Sequence, residues 1–524
     1  MTISTDHIID WLRQHAPQAQ LSADSRQIAA GDVFFAYPGD AADGRSFIED
    51  AIERGAVAIV HESAPLSNQL STQLSTQLST QFAIDAAVTI PALAITNLKQ
   101  CAGTIANAWY QHPDGDMAVL AVTGTNGKTS CSQWLAAAWS RLATPCAVVG
   151  TLGTGIVRDG VAEPLAETGY TTPDAVMLQH RLRALRDGGA QALAIEASSI
   201  GLDQGRLQGL HIDTALWTNL SRDHLDYHSD MASYCAAKMQ LFNWPGLRHA
   251  VVNLDDASGL ALLQQLQQAA TGVTLTGFTC AGVALPGLNV LSASDIRSTA
   301  SGTSFQLACG CESVAVKTKM VGDFNVSNLL GVIGVLLAHD FTLASVIAVV
   351  ETLTPVPGRM QQFGGDHAPL VVIDYAHTPD ALEKTLATLR RVAQQRSGKL
   401  WCVFGCGGDR DAGKRPAMGT AAMAADHIIL TSDNPRSEMP AEIIAQIQSG
   451  MASAAPAAAP KVIEDRAAAI LWAVRHAERA DVILLAGKGH ETTQEVRGKK
   501  LRFLDADHAA LALATRATSK GVHS

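Results

Sequence analysis

Through most of its length the chain alternates short apolar runs with stretches whose apolar residues return every third or fourth position, the pattern of strands alternating with amphipathic helices. Met117–Gly124 (MAVLAVTG) is expected to be a strand, followed by a helix through SQWLAAAWSRLA. Ala192–Ser198 (ALAIEAS), Thr214–Ser221 (TALWTNLS) and His249–Asp256 (HAVVNLDD) continue that series. The prolines of Thr354–Arg359 (TPVPGR) mark a linker, after which a second series runs Leu370–His377, Leu400–Gly408, His427–Arg436 and Val482–Glu491. Strand–helix alternation of this kind predicts an α/β fold built on parallel sheets.

A chain of 524 residues is too long for one core, and about 150 residues per domain suggests three or four. Boundaries are placed near residues 114 and 356, giving expected domains 1–114, 115–356 and 357–524. Nearly every apolar run ends in a cluster of Gly, Asp, Asn, His, Arg or Glu. Ligands of open parallel sheets bind at the carboxyl ends of the strands, so two such sheets facing each other would enclose an interdomain cleft. The linker ahead of the third domain suggests that this domain closes over the central one. One segment departs from the pattern: Gln69–Gln81 (QLSTQLSTQLSTQ) repeats a tetrapeptide and reads as an expanded surface loop of the first domain.

Charge narrows the possible partners. Lys plus Arg total 39 against 49 Asp plus Glu, a net of −10, and no basic run is present, which argues against nucleic acid. No apolar stretch reaches the roughly 18–20 residues that span a bilayer, and the N-terminal stretch lacks the basic-then-apolar pattern of a secretion signal. The nine cysteines form neither a disulfide framework nor a four-ligand zinc pattern, and read as buried thiols of a reducing cytoplasm.

The sharpest local signal is Thr123–Ser130 (TGTNGKTS), a loop between a strand and a helix. Gly124 and Gly127 let the backbone turn tightly so that its N–H groups can point at phosphate oxygens. Lys128 can neutralise the β- and γ-phosphates, the Thr129 hydroxyl can coordinate Mg²⁺, and the helix N-terminus adds favourable field. A full Walker A loop has glycine five residues before Gly127, where this chain has Val122, so the loop is a shortened one. The expected nucleotide set is Thr123, Gly124, Thr125, Asn126, Gly127, Lys128 and Thr129. Glu196 and His224, at the ends of two successive strands, are a carboxylate and an imidazole suited to a divalent cation, or else a strand-end hydrogen-bond pair.

In this setting GTNGKT resembles the loop of the Mur ligases and of their relative folylpolyglutamate synthetase. The likeness extends from Asp24–Arg26 (DSR) to Gly487–Glu491 (GKGHE), the tetrapeptide repeat excepted. It implies three α/β domains: a smaller N-terminal uridine-nucleotide domain, a central P-loop-type domain and a C-terminal Rossmann-like domain. The implied protein is a cytoplasmic monomer that uses ATP as co-substrate with Mg²⁺ to form an amide on a peptidoglycan precursor, without nucleic acid or membrane insertion. Thr129, Glu196, His224 and Lys238 become the implied metal ligands. In the family the lysine matching Lys238 is carbamylated, turning a cation that would repel the metal into an anion that binds it. Lys128, Glu196, His224 and Lys238 are then the catalytic group.

The same resemblance assigns the substrates. Ala23, Ser25, Asp40, Ala41 and Ala42, within Ala23–Phe47, match the uridine-nucleotide pocket, although on residues alone this is a strand pair with a Gly-rich turn. Thr171, Thr172, Ser198, Gln204 and Arg206 match groups holding the UDP-MurNAc dipeptide. Ile200 departs from the family, many of whose members have His there. Asn325 (in GDFNVSN), Arg359, Asp374 and His377 (in DYAHTPDA) match nucleotide-binding elements. Asp433–Arg436 (DNPR) resembles the motif by which members using meso-diaminopimelate recognise it. Diaminopimelate differs from lysine by a distal carboxylate, which Arg436 could hold through two parallel charge-assisted hydrogen bonds. Arg410, Gly487 and Glu491, with Asp433, Asn434 and Pro435, complete the implied acceptor site. The implied reaction passes the ATP γ-phosphate to the D-glutamate carboxylate of UDP-MurNAc-L-Ala-D-Glu, and the diaminopimelate amine then attacks the acyl phosphate. L-lysine or glutamate on a folate would be the acceptor or substrate of sister enzymes, and a nucleotide switch without bond formation is the alternative of another class.

Overall fold

The computed structural model describes residues 4–39, 42–63, 81–85, 88–166, 169–269, 272–365, 367–451 and 459–520, the side chains of 81–89 and 517–520 excepted. The tetrapeptide repeat lies outside them except for Gln81, and Asp40 and Ala41 also lie outside.

The first sheet joins Leu21–Ser22, Val33–Ala36, Ala58–Glu62 and Val88–Ile95 in parallel, with Gln81–Asp85 antiparallel at the edge. Its strand Val33–Ala36 is apolar throughout because both faces are covered. Val33 and Phe35 pack with Ile8, Leu12 and Ile105 from two helices on one side. Phe34 and Ala36 pack with Ile48 and Ile52 from Ile48–Glu53 on the other.

The central sheet has eleven strands. Its middle is parallel, in the spatial order Asn289–Thr299, Thr274–Thr279, His249–Asn253, Thr214–Trp217, Ala118–Thr123, Ala192–Glu196, Cys146–Gly150. Antiparallel strands extend both edges: Gly153–Arg158 and Val161–Ala162 on one side, Gly302–Cys309 and Glu312–Thr318 on the other. The sequence reading expected only parallel strands here. Two of the additions, Gly302–Cys309 and Glu312–Thr318, escaped it because buried and more exposed positions interleave along them, so neither forms an apolar run. Helices Lys128–Leu142 and Asp323–Ala338 cover one face. Ala175–Asp187 and Ala257–Ala269 cover the other. Strand Ala118–Thr123 is the switch point, since the chain leaves it first toward one edge and later toward the other; the crevice at its carboxyl end is where a ligand fits.

The third sheet runs Gln361–Gly364, Leu370–Asp374, Val482–Ala486, Leu400–Phe404, His427–Leu430, Lys461–Val462, parallel except for the first strand. Its last strand in the chain, Val482–Ala486, is inserted between Leu370–Asp374 and Leu400–Phe404. Every residue of these three strands is buried, with Pro379–Gln395, Arg415–Ala422 and Pro440–Ser449 on one face and Arg466–His476 on the other. No helix among the described residues is long and apolar enough to cross a membrane.

Candidate active site

The loop 124–127 is shaped by two close approaches. Gly124 has φ +139°, and a Cβ there would lie 1.9 Å from the Thr218 hydroxyl oxygen; Gly127 has φ +93°, with Asn328 Oδ1 2.5 Å from its would-be Cβ. Only glycine fits at both. Thr125 N donates to Asn219 O, and Thr218 Oγ1 donates to Asn126 O (2.6 Å), so strand end 214–217 and its following loop brace the turn. Lys128 curls over it, its Nζ donating to Gly124 O and Thr125 O (2.8 and 2.9 Å).

Lys238 reaches the same place from helix Met231–Met239. Its side chain is 1% exposed, its Nζ donates to Gly124 O at 2.8 Å and lies 4.5 Å from the centroid of the Tyr234 ring. Two amines therefore share one carbonyl oxygen, where like charges disfavour each other. Burial, reinforced by the Lys128 charge, pushes the Lys238 amine well below the ordinary lysine range. Burial also lowers Lys128, but Glu196 and Asp223 support its charge. Thr129 Oγ1 donates to Glu196 Oε2 (3.1 Å), and Thr151 holds both Glu196 oxygens, N to Oε1 at 2.8 Å and Oγ1 to Oε2 at 3.2 Å. His224 sits in a loop with φ +54° rather than at a strand end. Burial lowers its imidazole to about 4, Asp223 opposing and Lys128 and Lys238 adding to the effect, which leaves a neutral ring. Among the described residues no three His, Cys, Asp or Glu side chains gather closely enough to hold a metal by themselves.

The third domain docks onto this cluster. Arg359 Nη2 donates to Thr129 Oγ1 (3.0 Å), with its guanidinium carbon 4.4 Å from the centroid of the Tyr375 ring. Asn126 Nδ2 donates to Asp380 Oδ2 (3.3 Å), and Arg222 pairs with Asp411 (3.2 Å). Buried Asp223 faces His377 Nε2 (3.4 Å), Lys414 Nζ (3.6 Å) and His224 Nε2 (3.6 Å). Burial alone would raise the Asp223 carboxyl, but the hydrogen bond and charge of His377, with the charge of Lys414, hold it well below the usual carboxylate range. Because the folded pKa lies beneath the unfolded value of about 4, this contribution is present above that pH and is lost as acid carries the pH through the lower folded value. Asp223→Asn is expected to weaken docking of the third domain by about 1–3 kcal/mol, read as a larger radius of gyration in X-ray scattering. An unchanged radius would show that the other contacts suffice.

Other expected nucleotide residues fare differently. Asp374 Oδ2 accepts from Met360 N and Oδ1 from Ala376 N (both 2.9 Å), fixing the linker end; burial raises its carboxyl. Asn325 is buried and donates to Val321 O, while Asn328, one turn later and not singled out from sequence, is the residue whose side chain meets the loop at Gly127.

The substrate candidates lie on the opposite side of Glu196. Thr172 Oγ1 donates to Glu196 O (2.8 Å) and accepts from Ser198 N, and Thr171 Oγ1 lies 3.2 Å from Thr151 Oγ1. Arg206 donates to Thr172 O and Gln204 Oε1 (2.8 Å each) and sits over Tyr170 at 4.9 Å. Ser198 caps helix Ser199–Asp203, which carries Ile200 half-buried. In the first domain Ser25 is buried and hydrogen-bonds Asp50, Ala23 is half-buried, and Ala42 O accepts from Gly39 N.

A cleft of about 670 Å³ separates Thr151, Tyr170 and Thr171 from Arg410, Asn434, Arg436 and Glu491. The third-domain side is assembled from three strand ends. Arg436, with φ +50°, donates from Nη1 to Gly408 O (2.6 Å), and its Nε is 3.5 Å from Glu495 Oε2. The guanidinium is thus already partly engaged. Asn434 Nδ2 donates to Glu491 Oε2 (2.8 Å), and a Cβ on Gly487 would meet Asp433 Oδ2 at 2.5 Å. Pro435 O accepts from Glu438 N, and Arg410 lies 3.8 Å from Asp226 across the cleft. The hairpin Thr493–Val496 and Lys499–Arg502 adds Thr493, Glu495 and Lys500 to the lining, residues whose sequence carries no motif.

Comparison with known proteins matches this architecture end to end. Residues 19–110, 122–336 and 358–489 match models described as Mur ligase family, catalytic domain; Mur ligase middle domain; and Mur ligase, glutamate ligase domain. A protein of Janthinobacterium sp. (strain Marseille) named UDP-N-acetylmuramoyl-L-alanyl-D-glutamate–2,6-diaminopimelate ligase is 60% identical over 515 residues, 98% of each chain. One of the same name from Ralstonia nicotianae is 49% identical, covering 97% of this chain and 96% of that one. A solved structure of a ligase of that name aligns at TM-score 0.63 with 35% identity over 95% of each chain. MurF from Acinetobacter baumannii, 18% identical at TM-score 0.63 over 97% of this chain and 98% of that one, shares the fold.

Proposed function

Because the chain belongs to the Mur ligase family, we propose that it is an ATP-dependent, ADP-forming ligase that joins meso-diaminopimelate to the D-glutamate γ-carboxylate of UDP-MurNAc-L-Ala-D-Glu. The observation that carries the acceptor is the cleft in which Arg436, Asn434, Glu491 and Arg410 face the end of the central sheet. The setting is cytoplasmic synthesis of the peptidoglycan precursor.

Loop 124–129 and Lys128 would cradle the triphosphate, and Arg359 from the third domain stands at Thr129, so the phosphate site is complete only when that domain is docked. The substrate dipeptide would lie along Thr171, Thr172, Ser198, Gln204 and Arg206, its carboxylate directed at the loop. Both reactants are anionic, and Lys128 and Arg359 offset their repulsion and stabilise charge on the transferring phosphoryl oxygens. The carboxylate oxygen takes the γ-phosphoryl group, releasing ADP; the neutral amine of the acceptor then attacks the acyl carbon and phosphate leaves. The contacts of Asp223, Asp411 and Asp380 close the cleft against water, which would otherwise hydrolyse the acyl phosphate.

A divalent cation, bound as Mg²⁺ with the triphosphate, would neutralise further phosphate charge. Thr129 and Glu196 are bonded to each other, and neutral His224 leaves a ring nitrogen able to ligate. The set becomes anionic enough only if Lys238 carries a carboxylate. It is the uncharged amine that adds CO₂, and burial lowers the Lys238 amine well below the ordinary lysine range, so its surroundings support carbamylation.

The test is phosphate release with UDP-MurNAc-L-Ala-D-Glu and either meso-diaminopimelate or L-lysine. The wild type is expected to prefer diaminopimelate, and Arg436→Ala to lose about 10²–10³-fold of that preference, because the distal carboxylate would be buried unpaired. Equal or better use of lysine by the wild type would overturn the acceptor assignment.

A further inference from the structure

The GKGHE segment contributes more to the acceptor side than its glycine and glutamate. Lys488 is fully buried, at 0% exposure, yet it lies beside the cleft rather than in a distant core. Its Nζ donates to Glu491 Oε2 (2.8 Å), to Thr493 O (2.8 Å) and to Asn434 Oδ1 (3.1 Å), and stands 3.9 Å from Asp433 Oδ1. All three ammonium protons are therefore used, and every side chain they meet belongs to the expected acceptor site. Glu491 Oε2 also accepts from Asn434 Nδ2, so the three side chains form a closed triangle. The neighbouring buried Arg466 pairs with Asp505 at 2.7 Å and takes no part in this triangle's hydrogen bonds.

From this geometry we propose that Lys488 is a positioning residue for acceptor binding: it fixes the orientation of Asn434 and Glu491 and offsets the negative charge of Glu491, so that a dianionic, diammonium amino acid can enter. An unpaired buried ammonium would be costly, so the three partners must adopt one arrangement around it. Asn434 is thereby forced to present its oxygen to Lys488 and its nitrogen to Glu491, with no second amide orientation available. Without the cation, Asp433 and Glu491 would repel the carboxylates of the incoming acceptor across a low-dielectric wall. Asp433 lies under the same influence, since burial raises its carboxyl and Lys488 is the largest effect opposing this. Lys488 does not line the cleft itself, which is why its role is exerted through Asn434 and Glu491.

The inference rests on diaminopimelate being the acceptor, and the experiment separates the two. Lys488→Gln, which keeps a donor but no charge, is expected to raise KM for diaminopimelate by about ten- to a hundredfold, with KM for ATP and for the UDP-dipeptide within about twofold of wild type. Combined with Glu491→Gln, the second substitution should add less than about threefold to KM, because both break the same unit. Lys488→Met should behave as Lys488→Gln or more severely; if it does not fold, judged by melting and ATP binding, Lys488→Gln decides alone. A wild type that ignores diaminopimelate would refute the acceptor reading. A wild type that uses it, beside a Lys488→Gln enzyme whose three KM values are unchanged or all rise together, would refute only the role of Lys488. Additive KM effects in the double variant would refute it as well.

Discussion

Lys128→Met is expected to lower kcat by about 10³-fold or more, since removing a single preorganised donor from a charged transition state costs about 10²–10³-fold and a phosphate-facing cation more. The stem of the side chain survives in methionine, and the ammonium makes no ion pair on which the fold depends: its two hydrogen bonds go to carbonyl oxygens of its own loop. The melting temperature should therefore stay close to wild type while ADP release collapses. The loss should appear in kcat rather than in the diaminopimelate KM, because the acceptor loops belong to another sheet. A kcat within tenfold of wild type would remove Lys128 from the chemistry.

Lys238→Ala should be nearly as damaging, about 10³-fold in kcat, for a different reason. Lys238 is buried behind Gly124, and the carboxylate it would bear as a carbamate is the third anionic or neutral donor beside Glu196 and His224. Without it Glu196 is the one carboxylate among the four expected ligands, and the shared phosphate site keeps too little negative charge to hold a divalent cation. Two further measurements separate this from simple loss of packing. Intact wild-type protein should show a mass increase of one CO₂, lost on acidification, and activity should fall when bicarbonate is stripped from the buffer. Full activity of Lys238→Ala, or an unmodified and fully active wild type, would contradict the carbamate.

Much of this arrangement was legible from the chain. The expected strands are present because parallel strands covered on both faces must be apolar throughout, and their polar termini stand out against such runs. Lys128 and Thr129 were readable since the loop, strand and helix are contiguous. Asp433–Arg436 was readable only through resemblance; its left-handed Arg436 and the hairpin that engages Glu495 come from pairing across about sixty residues, which periodicity does not register. The burial of Lys238 was equally hidden. A lysine in the last turn of a nine-residue helix reads as solvated, and only packing of that helix behind the phosphate loop removes it from water. The bridges that join the domains, Asp223 to Lys414 and Arg222 to Asp411, link ordinary charged positions nearly two hundred residues apart and leave no local trace.

The insertion of Val482–Ala486 into the middle of the third sheet also governs when that half of the enzyme can form. As a ribosome delivers the chain, the first two sheets have all their strands long before residue 482 emerges, whereas Leu370–Asp374 and Leu400–Phe404 wait with unpaired edges for a strand that comes almost last. Under the proposed function, the nascent protein thus holds its phosphate loop well before it holds anywhere to seat an amine. Chains that stop short of that strand should be a burden for chaperones and proteases.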